Sequence, residues 1–359
     1  MTMTRLLSGD LPRSRTLTLF LLLIFLGLAF APFLSSGSRP LNMAATICVY
    51  IVLVASYDLL LGYTGIVSFA HTMFYGIGAY GIGLGLSSVD EPTWSAAMTG
   101  LGLALLLALA LALVVGLFAL RVRAIFYAMI TLAVASSFAV LASQLSDFTG
   151  GEDGKTFSVP EVLSPGFTLF ENDVFGRSID GKLLSYYLVF FGCLVLFLFL
   201  LRLVNSPFGR VLQAIRENEF RAEALGYRTV VYRVWANCLA ALVACLAGAL
   251  MALWLRYVGP KTSLGFEVMT DILLIVVIGG MGTMYGAVIG AALFILAQNY
   301  LQDRMQAASN ALEAVPVLAA ALHPDRWMLW LGVLFVLSIY FFPIGIVGKL
   351  RLRSQLAKR

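Results

Sequence analysis

Apolar runs long enough to cross a bilayer recur from Leu17 to Val347, and one long basic stretch interrupts them, NSPFGRVLQAIRENEFRAEALGYRT from Asn205 to Thr229. A helix needs about 20 apolar residues to cross the hydrocarbon core. The chain is 60% hydrophobic and 12% charged over 359 residues. No water-soluble domain of this size hides that much apolar surface, so the excess must face lipid. The sequence therefore predicts an all-α, polytopic integral membrane protein forming a single transmembrane domain over 1–359.

The runs place ten spans: Thr16–Leu34, Met43–Leu61, Ile66–Leu86, Trp94–Leu120, Ile125–Leu145, Leu183–Val204, Val234–Val258, Asp271–Ile278 with its glycine-rich continuation, Tyr285–Leu301 and Trp327–Val347. Loop charges orient them. Basic clusters sit at Arg5, Arg13 and Arg15; at Arg121 and Arg123; from Arg202 to Arg233; and from Lys349 to Arg359. Ten spans put all four clusters on one side, which makes both termini cytoplasmic. Opposite them fall Asp90-Glu91 and the acidic loop 146–182, with Asp147, Glu152, Asp153, Glu161, Glu171, Asp173 and Asp180. Nine or eleven spans would break the pattern. The net charge of +5 is thus an orientation signal and does not point to nucleic acid.

The N-terminal run has features of a signal peptide, with Arg13 and Arg15 before it and Ala29-Phe30-Ala31 near its end. It is long for one, Pro32 would follow the cleavage point, and further spans come after. It is expected to be an uncleaved first helix. Cys48, Cys193, Cys238 and Cys245 all lie in apolar runs without metal-like spacing and are expected to be reduced packing residues.

The basic stretch, within a cytoplasmic loop 205–233, has its own local code. Ser206-Pro207 is a helix start, with a capping oxygen and then Pro at the first helical position. Phe208, Val211, Leu212, Ile215, Ala222 and Leu225 fall on one helical stripe, with a dip near Asn218 that can divide it into two short helices. Gly226 suits a C-terminal cap. One reading is an amphipathic helix lying on anionic lipid. The other is a coupling helix docked in the cleft of an ATPase, which the mixed charge of Arg210, Arg216, Glu217, Glu219, Arg221 and Glu223 suits better.

Two regions are poor as plain helices. The first runs from Gly62 through Gly65 to His71, and the second is Gly279-Gly280-Met281-Gly282-Thr283. Glycine allows close helix packing, and it also lets a helix unwind at membrane depth. Broken helices in both halves of a chain point to a translocation path. On that ground Asp58, Gly62, Gly65, His71, Gly279, Gly280, Gly282 and Thr283 are the expected pathway residues. For Asp58, structural and pathway roles are evenly matched; for His71, a hydrogen bond that orders the break is favoured. Asp58-Leu59-Leu60 and Asp271-Ile272-Leu273, each preceding a break, suggest a faint internal duplication.

Several chemistries are missing from the sequence. Gly150-Gly151-Glu152-Asp153-Gly154-Lys155-Thr156 resembles a phosphate loop but has the first glycine one residue too close to the lysine. There is no HExxH and no G-x-S-x-G. No metal site and no cofactor is expected on this chain, and an ATP-driven process would need ATP and Mg on another chain.

Four segments carry a resemblance: DLLLGYTGIVSFAHTMFYGIGAY (Asp58–Tyr80), TGGEDGKTF (Thr149–Phe157), SPFGRVLQAIRENEFRAEALGY (Ser206–Tyr227) and ILLIVVIGGMGTMYGAVIGA (Ile272–Ala291). In order and spacing they resemble the permease subunits of branched-chain amino acid ABC importers, of the LivM type, over roughly Leu41 to Leu301. The resemblance implies a second related permease chain, two ABC ATPase subunits and a periplasmic substrate-binding protein, in the bacterial inner membrane. It implies that Arg210, Ala222, Glu223, Ala224 and Gly226 couple to the ATPase. It also implies that the external segment Gly150, Gly151, Glu152, Asp153 and Gly154 faces the binding protein. Relatives carry leucine, isoleucine and valine, but also urea, short amides and aromatic acids. The Gly279–Gly282 form looks more like the amino-acid branch. A self-sufficient secondary transporter driven by protons or sodium is the main rival. A membrane enzyme lacks a clustered catalytic constellation, and a scaffold does not account for so many broken spans.

Overall fold

A computed structural model describes residues 15–34, 37–119, 124–164, 166–168, 180–311, 323, 326–341 and 345–349. The orientation signals at Arg5, Arg13, Arg121, Arg123, Arg351, Arg353, Lys358 and Arg359 lie outside the described residues, as do Glu171, Asp173 and Arg177.

The chain is a helical bundle. Its principal helices are α1 (Arg15–Leu34), α2 (Ser38–Thr64), α3 (His71–Ser87), α4 (Trp94–Ala119), α5 (Ala124–Gln144), α6 (Gly181–Val204), α7 (Pro207–Glu217), α8 (Glu219–Ala224), α9 (Thr229–Leu255), α10 (Phe266–Gly279), α11 (Met284–Ala311) and α12 (Trp327–Phe341). Among the described residues, eight apolar helical stretches are long enough to span a membrane. With α3 (17 residues) and α12 (15 residues) they account for the ten expected segments.

The boundaries differ where local chemistry overrides apolar length. The expected span Ile66–Leu86 is not continuous: α2 ends at Thr64, residues 65–70 are not helical, and α3 begins at His71. The span expected at Val234–Val258 is α9, and Val258 instead belongs to a two-residue strand. That strand, β2 (Tyr257–Val258), pairs antiparallel with β1 (Lys155–Thr156), a small exception to an all-α fold. Asp271–Ile278 grows to the whole of α10, and Tyr285–Leu301 to the longer α11.

Helix α2 is the axis of the bundle. Of its most apolar stretch 89% is buried within the chain, against 11% for α1. Helices α9, α11 and α6 pack around α2, and α3 lies between α9 and α4. Helices α1, α4 and α5 keep rows of exposed leucine, phenylalanine and isoleucine, the surface a lipid solvent would cover. The four cysteines are buried and unpaired.

Polar side chains repair or join helices inside this apolar mass. Pro32 has no N–H, which leaves the carbonyl of Leu28 without its helical donor. The Tyr186 hydroxyl donates to that carbonyl at 2.5 Å, and Tyr187 donates to Ala29 O at 3.0 Å, tying α1 to α6. Asn237 on α9 donates to Ala112 O on α4 at 2.9 Å and accepts from the Tyr127 hydroxyl on α5 at 3.4 Å.

Most glycines of α3 serve packing. A Cβ on Gly78 would overlap the backbone of Cys245, and one on Gly248 would overlap the carbonyl of Tyr75. Helices α3 and α9 therefore cross backbone to backbone, as small residues permit. Gly102 on α4, by contrast, has open space where its Cβ would be. Overpacking a tight contact costs about 1–3 kcal/mol or more. We expect Gly78→Ala and Gly248→Ala each to lower the melting temperature of the detergent-solubilised protein by several degrees, and Gly102→Ala to leave it unchanged; tryptophan-fluorescence melting checks this.

Candidate functional site

The two helix breaks meet at one end of the bundle, and the polar segment α7–α8 lies against them. The first break starts with a left-handed turn. Gly65 takes φ +73 and its N–H bonds to Leu60 O, as does the N–H of Ile66 at 3.1 Å. This satisfies a helix end that would otherwise expose carbonyls. Beyond it, Phe69 N–H donates to Thr131 Oγ1 on α5 at 3.0 Å. His71 opens α3 and is buried; its Nε2 lies 2.9 Å from Ser56 Oγ and 3.3 Å from Leu53 O on α2. Its ring meets Tyr57 edge-on at 5.3 Å. The histidine thus pins the start of α3 to α2.

The second break is Gly280–Thr283, between α10 and α11. Thr283 Oγ1 donates to Gly280 O at 2.7 Å, and Gly286 N–H donates to Thr283 O at 2.8 Å. Gly279 packs against Gly286, which draws the two helices into a hairpin. Gly345, at the start of the helical residues 345–349, lies directly on Gly280.

Asp58 joins the breaks. It sits in the last two turns of α2 and is buried. Both its oxygens accept from Gly282 N–H, at 2.9 and 3.1 Å. Gly62 is one turn further on the same face of α2. A Cβ there would collide with Asp58 Oδ1 and Gly282 N, so only glycine lets the second break come this close. Asp271 lies in the first half of α10 and makes no such contact, so the two aspartates of the suspected duplication do different things.

The residue that sequence reasoning passed over is Arg216. It is next to last in α7, and its Nη1 donates to the carbonyl of Gly62. A Cβ on Gly282 would lie 2.8 Å from that same nitrogen. Nothing in local spacing pairs residues 62, 216 and 282; only the fold does.

The polar segment folds as its sequence directs, with a refinement. Ser206 caps α7 by accepting from Gly209 N–H at 3.4 Å, with Pro207 first in the helix. Asn218 ends α7 and caps α8, its Oδ1 accepting from Arg221 N–H at 2.9 Å. Gly226 takes φ +91 and its N–H bonds to Glu223 O. Leu212, Ile215 and Ala222 are buried, but Leu225, expected on the same stripe, is 73% exposed. The Asn218 joint turns it outward.

Of the residues expected to couple, Ala222 therefore packs inward, while Arg210, Ala224 and Gly226 are exposed. Glu223 Oε1 accepts from Thr229 Oγ1 at 2.8 Å, and Glu219 pairs bidentately with Arg233 at 2.5 and 2.9 Å. Both bonds tether α8 to α9. Phe220, which the apolar stripe does not include, is 82% exposed. A bulky aromatic inside a charged stretch was the signal for it.

At the opposite end of α3, Gly150, Gly151 and Gly154 all take positive φ and fold Gly151–Asp153 into one tight turn. Tyr257 donates to Asp153 O at 2.9 Å, and Arg256 donates to Leu163 O at 2.9 Å. Burial lowers the Arg256 pKa from its ordinary value. The side chains of Glu152 and Asp153 face solvent. Among the described residues no group of His, Cys, Asp or Glu could hold a metal ion.

The family described as "Branched-chain amino acid transport system / permease component" matches residues 39–339. The chain is 28% identical to the high-affinity branched-chain amino acid transport system permease protein LivM of Salmonella typhimurium, over 95% of this chain and 78% of that one. Identity to the Escherichia coli LivM is also 28%, over 94% and 77%. A shorter match, 33% identical over 26% of this chain and 27% of the relative, is to the autoinducer 2 import permease LsrC of Yersinia pseudotuberculosis. No solved structure matches the chain. Nearly the whole bundle, including both breaks and the α7–α8 segment, falls within the family match, and the chain belongs to the family of branched-chain amino acid transport system permease components.

Proposed function

We propose that this chain is a permease subunit of an ATP-binding-cassette importer that moves branched-chain amino acids into the cytoplasm. The observation that carries the reading is the pair of exposed apolar side chains at α8, Phe220 and the following Leu225, on a helical bundle of this permease family. The relatives named as branched-chain amino acid permeases support the cargo. The chain is not itself an enzyme; ATP and Mg bind separate ATPase chains.

In this assembly the chain pairs with a second, related permease in the bacterial inner membrane. Two ATPase subunits sit beneath it on the cytoplasmic side, which also holds both termini. Phe220, Leu225, Ala224 and Gly226 enter a cleft in one ATPase, and Arg210 borders it. Burying a Phe or Leu side chain contributes about 1.5–3 kcal/mol. Lipid binding alone would favour a basic polar face, whereas this one pairs Glu219 with Arg233. On the outer side a periplasmic binding protein meets the turn Gly150–Gly154. Closure of the ATPases on ATP moves α7–α8, and the two breaks switch access from one side to the other.

The rival secondary transporter gains little from Asp58 and His71. Both are buried and engaged in holding helices together.

Reconstitution tests the reading. The chain with its partner permease, ATPases and binding protein in vesicles is expected to take up labelled leucine only with ATP. Uptake by this chain alone, driven by a proton or sodium gradient, would contradict it. The double variant Phe220→Ala, Leu225→Ala loses about 3 kcal/mol or more of contact, and at about 1.4 kcal/mol per tenfold should retain at least tenfold less ATPase on affinity purification. Glu223→Lys breaks the bond to Thr229, and Gly226→Leu is strained at φ +91; both are expected to abolish uptake with the protein still inserted. Charge reversal at Glu152 and Asp153 should raise several-fold the binding-protein concentration needed for half-maximal uptake, with ATPase retention unchanged.

A further inference from the structure

A second side chain, besides Asp58, lies against both breaks and comes from neither of them. Arg216 belongs to α7, yet it reaches a backbone carbonyl 154 residues away in sequence. Three glycines lie beside it, and Gly282 is the one that leaves room for it. Gly62 presents its carbonyl; a Cβ on Gly65 would lie 3.4 Å from Arg216 Cγ; a Cβ on Gly282 would lie 2.8 Å from Nη1. Gly62 lies in the last turn of α2, Gly65 opens the first break, and Gly282 belongs to the second. The same Gly282 donates to Asp58, whose carboxylate fills the space beside Gly62.

Glu217 and Glu219 are within a turn or so of Arg216 in sequence. Among the described residues, however, Arg216 makes no ion pair with either, and Glu219 is taken by Arg233. The guanidinium instead donates to a peptide oxygen at the end of α2. Hydrogen bonds from a charged donor contribute more than neutral ones, and the planar group can lie against Gly282 while donating to Gly62, which an ammonium cannot do.

Position in the chain gives this contact a mechanical sense. Arg216 is one residue from the end of α7, and the single residue Asn218 joins that helix to α8. Leu212 and Ile215 are buried and fix the inner face of α7. A push on α8 thus has a short route along the chain, through Asn218, to Arg216. We propose that Arg216 is the positioning residue through which movement of the α7–α8 segment is passed to both breaks at once, with Asp58 binding the breaks into one unit. This rests on the importer reading given above.

The test uses the assembled complex in vesicles, with Arg216→Gln, Arg216→Lys and Gly282→Ala compared against the natural chain. Three quantities are read: yield of the complex, ATP hydrolysis with substrate-loaded binding protein, and leucine uptake. Arg216→Gln is expected to assemble and hydrolyse ATP while uptake per ATP falls at least tenfold. Arg216→Lys keeps a donor and should recover part of that loss. Gly282→Ala, with a methyl against the guanidinium, should resemble Arg216→Gln. An Arg216→Gln complex that takes up leucine per ATP as the natural one does would overturn the inference alone. Failure of both Arg216→Gln and Gly282→Ala to assemble would make the contact purely structural and overturn it too. A natural chain that recruits no ATPase would sink the importer reading and this inference with it.

Discussion

A peptide group without a hydrogen-bond partner costs several kcal/mol in hydrocarbon, so a helix can break inside a membrane only where protein supplies the missing partners. Among the described residues two glycine-rich breaks at one end of the bundle obtain them from distant parts of the chain. Gly282 N–H finds the Asp58 carboxylate, and Phe69 N–H finds Thr131. The carbonyl of Gly62 finds the Arg216 guanidinium. Each repair joins segments remote in sequence. The need to satisfy broken backbone thereby holds α2, α10, α11 and α7 together at one end of the bundle.

That arrangement explains why glycine gathers where it does. At Gly78 and Gly248 glycine removes bulk so that two helices can touch along their backbones. At Gly62 and Gly282 it also admits a charged group to the backbone. The first use makes a rigid wall. The second brings a charged, partly buried side chain onto the backbone, the kind of contact the proposed switching would remake. A permease needs both: helices that move as bodies, and a few sites where they change partners.

Much of the fold was legible because it depends on local or periodic signals. Apolar length found helix at each expected segment, eight of them long enough to span a membrane, and the Ser206-Pro207 start, the Asn218 dip and the Gly226 cap were read from residues that do their work within a turn of themselves. His71 was expected to order its break through a hydrogen bond, and Ser56 is its partner. Other features depend on contacts between distant parts of the chain. Apolar length carried Ile66–Leu86 as one span, although the Gly65 turn and the anchoring of Phe69 by Thr131 on α5 keep residues 65–70 out of a helix. Arg216 counted as one more basic loop residue, since its target lies across the fold. Leu225 was judged by helical phase, and the joint at Asn218 changes that phase; Phe220 was not singled out. Family resemblance reached Glu223 and Gly226 but not the tether from Glu223 to Thr229, which turns an apparent surface contact into part of the segment's own support.

The central claim is that the two breaks and the α7–α8 segment act as one unit, joined at Gly62 and Gly282. Hydrogen exchange at the Gly282 amide tests this most directly, since its proton is the one Asp58 holds. Exchange would be followed by mass spectrometry in the assembled complex, without nucleotide and with ATP trapped on the ATPases. The account predicts a protected amide in one state and at least about tenfold different exchange in the other, from a changed opening equilibrium. Equal exchange in both states, or an amide as fast as free loop throughout, would contradict it.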